Sequence, residues 1–334
     1  MRAILFGVMA AMGAAAGIAL GQLTPDRTYY GIGRSIPMTV KVPEGLKGEV
    51  EVKLLTPVTA EVVSAAAVVP GGVDLAGLFP VLWKPDGPVT SARVHYAQLV
   101  VGGVKVGPAV VLQPMVDPPY CVFIDTQTGE PKYREGKGVY SGLRAYVDKH
   151  VLMETSLGDI EFELRPDQAP NTVWSFLDLC RGGFYTDVVF HRVKATHTNG
   201  APFVIQAGDP TQGFYSAGGG EGGPGFCINL EPSRLPHDFG VISMARTGQP
   251  NSAGSQFFIC LSREGTSFLD GQYTSFGRAV SGADAIRKIA AVEVGSNDRP
   301  KDPPVIHRAR LIDAPPYGEG PGPVKGPGSE PINR

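Results

Sequence analysis

The sequence predicts a mainly β protein, with a small antiparallel β-sandwich followed by an antiparallel β-barrel whose ends are covered by two helices. Three observations predict it. Short runs along most of the chain alternate apolar and polar residues, the period-two pattern of half-buried strands. The 44 glycines and 30 prolines favour turns and short strands over long helices. Only two stretches carry convincing helical spacing, and both lie in the second half. At 334 residues the chain has room for two domains of roughly 150 residues each.

The chain opens "MRAILFGVMAAMGAAAGIALGQ". Arg2 supplies a positive start, an uncharged apolar run follows, and Ala19 and Gly21 put small residues at the −3 and −1 sites of a cut before Gln22. Residues 1–21 therefore read as a secretory signal peptide. The expectation is an exported protein, periplasmic or secreted, without stable membrane insertion after cleavage. An uncleaved anchor is the alternative, because the run approaches spanning length. Its Ala/Gly richness makes it weakly hydrophobic and favours cleavage.

Residues 22–115 are read as the sandwich. "MTVKV" (38–42) and "EVEVKLL" (49–55) alternate at period two, and Gly102-Gly103 between two valine runs signals a two-residue hairpin. No convincing helix is expected there, and His95, alone in a strand pattern, reads as structural. Residues 116–149 are turn-rich and read as a connector with room for a hairpin at Val122–Ile124.

The texture changes at His150. "VLMETSLGDIEFEL" (151–164) reads as two short strands. "APNTVWSFLDLCRGGFY" (169–185) reads as a helix, with Asn171 or Thr172 as cap and Gly182-Gly183 as stop. Val173, Phe176, Leu177 and Cys180 fall on one face of it. A second helix is expected near "GADAIRKIAAV" (282–292). Residues 315–334, mostly Pro, Gly and polar, read as a disordered tail.

Composition excludes several functions. The net charge of −2 and the lack of a basic cluster argue against nucleic acid as partner. Cys121, Cys180, Cys227 and Cys260 are far apart with no CxxC, so no zinc site or redox pair is indicated. Cys180 and Cys260 read as buried thiols, while a bridge involving Cys121 or Cys227 is left open. His191, His197 and His237 lack metal-ligand spacing, and no metal or cofactor is expected. "GSQFF" (254–258) is not a nucleophile elbow, and "GGGEGGPG" (218–225) lacks the Lys-Ser/Thr of a phosphate loop. What remains is an apolar surface with a few fixed polar groups, including Arg192, Gln206, Arg246, Asn251 and Tyr273. That combination suits an extended peptide.

The motifs "APNTVWSFLDLCRGGFY", "FHRV", "FVIQAGDP", "GGPGF", "GVISMARTGQPNSAGSQFFICLS" and "FLDGQYTSFGRAV" occur in that order. With them, residues 150–314 resemble the cyclophilin family of peptidyl-prolyl cis-trans isomerases. The resemblance implies an eight-stranded antiparallel barrel with two capping helices and an enzyme that rotates X–Pro bonds in proline-containing polypeptides. It places the catalytic set on Arg192, Phe203 and Gln206. It places substrate contacts on Val204, Ala245, Arg246, Thr247, Phe258, Phe268, Leu269 and Tyr273. A non-catalytic proline-peptide scaffold is the alternative, against which the intact Arg192–Phe203–Gln206–Phe258 set argues. A third reading makes the sandwich the working part, for adhesion or docking. The chain departs from the family in four ways. The loop Lys194–Pro202 is longer than in short members, Val204 stands where many have methionine, Phe268 stands where many have tryptophan, and Arg246 stands in place of asparagine in a strip that works mainly through its backbone. Loss of the indole N–H predicts weak cyclosporin binding.

Overall fold

In the computed structural model, the structure describes residues 21–83, 94–134, 139–211 and 222–326. The expected signal segment, apart from Gly21, lies outside the described residues, as does the first half of the glycine run 218–225. Among the described residues no helix is long and apolar enough to cross a membrane.

Two antiparallel sheets form the first part. One runs Gln22–Pro25, Pro37–Lys41, Gly71–Asp74. The other runs Tyr29–Gly31, Tyr140–Val147, Val110–Val116, His95–Val101, Val50–Leu55, Val62–Ala67, with Val104–Lys105 paired to His95–Val101. Leu23, Met38 and Val40 of the first meet Val52, Leu54, Leu99 and Val101 of the second in one core. Gly102 and Gly103 make the hairpin after His95–Val101 with φ of 56° and 83°, left-handed conformations that a tight two-residue turn requires. A short helix, Leu75–Leu78, stands where none was expected, capped by the Asp74 side chain.

Of the connector 116–149, Tyr120–Ile124 and Pro131–Arg134 pair as a hairpin. Tyr140–Val147 is an interior strand of the larger sheet, between Tyr29–Gly31 and Val110–Val116. Turn residues at 117–119 and 125–130 masked this strand, whose "YSGLRAYV" alternates only weakly.

The second part is one antiparallel sheet of nine strands. Its order is Val188–Val189, Val305–Asp313, Lys149–Thr155, Gly158–Leu164, Ser275–Ser281, Val241–Met244, Phe257–Cys260, Pro202–Ala207, Arg192–Thr196. Its first and last members belong to one stretch of chain, broken only at Phe190-His191. The sheet therefore curls back on itself, with eight staves when that stretch counts once. This matches the expected barrel.

Helix Pro170–Arg181 covers the barrel with Val173, Phe176, Leu177 and Cys180, each worth about 1.5–3 kcal/mol if fully buried and apolar. Its cap differs from expectation. Pro170 takes the first helical position, so Asn171 and Thr172 lie inside. The Glu231 carboxylate accepts from both backbone N–H groups, at 3.1 and 2.7 Å, satisfying the donors a local side chain would otherwise serve. The second helix is Ala283–Ala290.

The central strands of the larger N-terminal sheet, His95–Val101 and the first residues of Val110–Val116, are buried on both faces. Leu55, Tyr96, Val111 and Tyr146 on its far face join the barrel core. Trp174, on the outer side of its helix, packs against Tyr146 at 5.1 Å and lies under the Arg144 guanidinium at 4.7 Å. The expected disordered tail is ordered as far as residue 326, crossing from sheet to barrel as a strap. Tyr317 stacks on Tyr96 at 3.7 Å. Its carbonyl accepts from Lys105 Nζ at 2.6 Å, and Val324 N–H donates to the Ala279 carbonyl at 2.9 Å. One aromatic ring and a few backbone bonds anchor a segment whose composition alone reads as disorder.

Candidate active site

Alternation along three neighbouring strands builds the site. Arg192 opens its strand and pairs with Gln206, which pairs in turn with Phe258. Residues directly opposed across antiparallel strands share a face, so the three point out of the barrel together. Their neighbours Val193, Ile205, Phe257 and Ile259 point into the main core.

Outside the barrel a second, smaller apolar cluster forms from Val204, Leu235, Val241, Phe258, Cys260 and Leu269, with Phe203, Ala245 and Tyr273 against it. Phe258 meets the Tyr273 ring edge-on at 5.7 Å, and Phe203 stacks on Phe268 at 5.9 Å. Phe268 is 48% exposed and forms the rim. Arg246 lies over the Tyr273 ring at 4.4 Å and donates to the Gln272 and Thr247 carbonyls. Its side chain is thus committed to the rim, and Thr247 beside it is exposed.

The polar groups form a chain. Arg192 Nη1 donates to Gln206 Oε1 at 3.2 Å, Gln206 Nε2 to Gln256 Oε1 at 3.1 Å, and Gln256 Nε2 to the Gly222 carbonyl at 2.8 Å. Arg192 Nε faces Asp298 Oδ2 at 3.4 Å. Arg192, Gln206 and Phe258 thus share one outward face, with Phe203, Val204, Ala245, Leu269 and Tyr273 clustered about Phe258 and Phe268 and Arg246 at the rim, while Asn251 does not join them.

Beneath the floor, Ser243 Oγ and His237 Nε2 are 2.9 Å apart, and His237 Nδ1 and Asp270 Oδ1 are 2.9 Å apart. The order is that of a hydrolase triad, but Ser243 and His237 are fully buried, out of reach of any substrate. The imidazole instead stacks under Phe258 at 6.0 Å and holds that ring in place. Burial of Asp270 works against its charge. Hydrogen bonds from His237 and Arg263 outweigh it and hold the carboxyl below its usual range.

His191 is turned inward and buried, with neither ring nitrogen hydrogen-bonded. Burial, against the attraction of Asp209, lowers its pKa to about 4, so it is neutral at pH 7. Asn251 is structural: its amide donates to the Cys121 carbonyl at 2.7 Å. Among the described residues no group of three or more His, Cys, Asp or Glu could hold a metal. All four cysteines are free thiols, with Cys227 exposed, and burial raises the pKa of Cys180 and Cys260 well above the usual value.

Three residues at the site escaped the sequence reading. Gln256 was legible, since it shares parity with Phe258 and so the outward face. His197, in the lengthened loop, packs against Phe203 at 4.8 Å and Phe268 at 5.0 Å. Asp298 arrives from a loop 106 positions downstream of Arg192. No local pattern marks either.

Comparison with known proteins gives the family by sequence. Residues 150–311 match the sequence model of the family described as cyclophilin type peptidyl-prolyl cis-trans isomerase/CLD. The chain is 37% identical over 164 residues to peptidyl-prolyl cis-trans isomerase-like 1 of Gibberella zeae, covering 49% of this chain and 95% of that protein. It is 39% identical over 163 residues to the protein of the same name in Aspergillus fumigatus, again covering 49% and 95%. A crystal structure of a Cryptosporidium parvum cyclophilin type peptidyl-prolyl cis-trans isomerase, in the presence of the dipeptide Ala-Pro, is 30% identical. It covers 49% of this chain and 98% of that one, with a TM-score of 0.43.

Proposed function

The chain belongs to the cyclophilin-type peptidyl-prolyl cis-trans isomerases and has that activity, and from this premise we propose that Arg192 drives the rotation by hydrogen bonding to the prolyl nitrogen. The X–Pro bond keeps partial double-bond character, and its rotation faces a barrier of about 18–20 kcal/mol. Bringing exchange from tens of seconds to milliseconds takes roughly four powers of ten, or about 5.4 kcal/mol. No bond breaks, so no nucleophile is needed.

In the twisted transition state the nitrogen lone pair leaves conjugation and becomes a better acceptor. A guanidinium aimed at it therefore binds the twisted state more tightly than the planar one. Arginine suits the task because it stays protonated and presents a rigid fork of donors. Phe203 and Phe258, over Val204 and Leu269, take the proline ring. Gln206 and the main chain of Ala245, Arg246 and Thr247 hold the flanking backbone. One side of the bond is then fixed while the other turns.

The observation that carries this reading is the Arg192–Gln206–Phe258 rung, which sets a guanidinium beside an apolar floor. Replacing Arg192 by lysine keeps the charge but loses the planar fork. Exchange of an Ala-Pro peptide by Arg192→Lys should fall at least tenfold, about 1.4 kcal/mol. Unchanged exchange would remove the arginine from the mechanism.

The substrate class that fits is a proline-containing polypeptide in extended form, and the biological role is assistance to folding outside the cytoplasm. Export rests on the sequence of residues 1–21, and a mature N-terminus at Gln22, read by mass spectrometry, tests it.

A further inference from the structure

We infer that Asp298 is a positioning residue for catalysis, fixing the plane of the Arg192 guanidinium so that its remaining donors face the prolyl nitrogen. The inference rests on the role given above to Arg192. A free arginine side chain has several rotatable bonds, and its planar head presents five N–H donors. Here two edges of the head are tied. Nη1 donates to Gln206 Oε1 at 3.2 Å, and Nε to Asp298 Oδ2 at 3.4 Å. Anchors of different origin, one on the neighbouring strand and one on a distant loop, hold a planar group against both swinging and turning. Nη2 stays free of both.

The loop that brings Asp298 is built to hold it still. Between helix Ala283–Ala290 and strand Val305–Asp313, the chain folds back on itself. The Lys301 N–H donates to the Glu293 carbonyl at 2.9 Å, Gly295 N–H to the Arg299 carbonyl at 2.7 Å, and Arg299 N–H to the Ser296 carbonyl at 3.3 Å. At its tip Asn297 and Asp298 both adopt left-handed φ, 60° and 59°, a conformation that Asn and Asp tolerate better than most residues but that still carries strain.

Stability does not account for this arrangement. The two side chains of the pair are 34% and 36% exposed, and solvent-screened ion pairs contribute little to folding. A strained tip that ends in a weak surface pair is better explained by what the pair aims, namely the guanidinium beside the apolar floor. Transition-state hydrogen bonds are sensitive to such aim, since small misplacements cost large factors in rate.

The test is a double-mutant cycle on the full chain, with Ala-Pro peptide exchange measured as kcat and KM separately. Asp298→Asn keeps an acceptor and tolerates the left-handed backbone, and should lower kcat about threefold. Asp298→Ala should lower it roughly tenfold. KM should stay within twofold in both. In an Arg192→Ala background, Asp298→Asn should have no further effect on kcat. An equal loss in that background, or a rise in KM with kcat unchanged, would overturn the positioning role while leaving the arginine mechanism standing. Wild-type kcat in both Asp298 variants would overturn it outright. Wild-type kcat in Arg192→Ala itself would instead bring down the arginine reading, and this one with it. Should Asp298→Ala fail to fold, the Asn variant alone decides, because its backbone demand is met.

Discussion

Arg192 and Gln206 stand directly opposite each other on paired antiparallel strands, and the arginine's Nη1 donates to the glutamine's Oε1 at 3.2 Å. The same glutamine donates its own amide to Gln256, so both ends of its side-chain amide are tied. Gln206→Ala would free one edge of the guanidinium and remove a substrate contact together. We expect kcat/KM for an Ala-Pro peptide to fall by roughly 10–100-fold, with the unfolding midpoint little changed because the side chain is only half-buried.

The rim ring Phe268 is half-exposed and stacked on Phe203, and it offers no N–H. Wild-type cyclosporin affinity is therefore expected to be weak. Phe268→Trp should tighten it by about tenfold, the net worth of one hydrogen bond. Calorimetric titration of both proteins checks this, and nanomolar binding by the wild type would contradict it.

The strap predicts a separation of stability from activity. Tyr317 stacks on Tyr96 and accepts from the Val58 N–H at 3.0 Å. Tyr317→Ala should cost about 2–4 kcal/mol in denaturant unfolding. The active-site rung lies on other strands, so kcat/KM at 25 °C should not move. A variant with wild-type stability would show that the strap's packing is not part of the folded state in solution.

Under the strap lies a cleft of about 730 Å³ lined by Tyr96, Asp148, His150, Glu163, Arg165, Arg278 and Tyr317. Burial, followed by the nearby Glu163 charge, raises the Asp148 pKa to about 7. Glu163 itself is paired with Arg278, and Arg165 with Asp167, so neither cation is free to serve Asp148. An unfolded aspartate titrates near pH 4. Between about pH 4 and 7 the folded chain therefore holds the extra proton. Stability falls as pH rises through that window and is level above it. Asp148 still touches the solvent-filled cleft, which screens the effect. Asp148→Asn should thus stabilise by roughly 1–2 kcal/mol at pH 8 and hardly at all at pH 4. Denaturant curves at the two values decide it, and an equal effect at both would contradict the burial account.

The barrel was legible because its helix and strands repeat local rules. The 3.6 spacing of Val173, Phe176, Leu177 and Cys180 gives the covering helix, whereas Phe257–Cys260 is apolar and buried throughout, so Phe258 was placed by resemblance and its outward face shows only in its pairing with Gln206. Elements with a non-local cause were not legible. The cap on helix Pro170–Arg181 comes from Glu231, some sixty residues on. Tyr140–Val147 is a strand because a sheet formed by residues far upstream has a place for it. The tail is ordered because Tyr317 finds Tyr96. Asp298 reaches Arg192 only after the barrel has closed, and His197 meets Phe203 and Phe268 only once the loop has folded over the rim.

The most direct measurement is the cis-trans exchange of an Ala-Pro peptide by the wild type and by Arg192→Ala, followed by magnetization-exchange NMR. The account predicts that kcat/KM falls by two to three powers of ten, about 3–4 kcal/mol, in a variant that still binds the peptide. Equal exchange rates for the two proteins would contradict it.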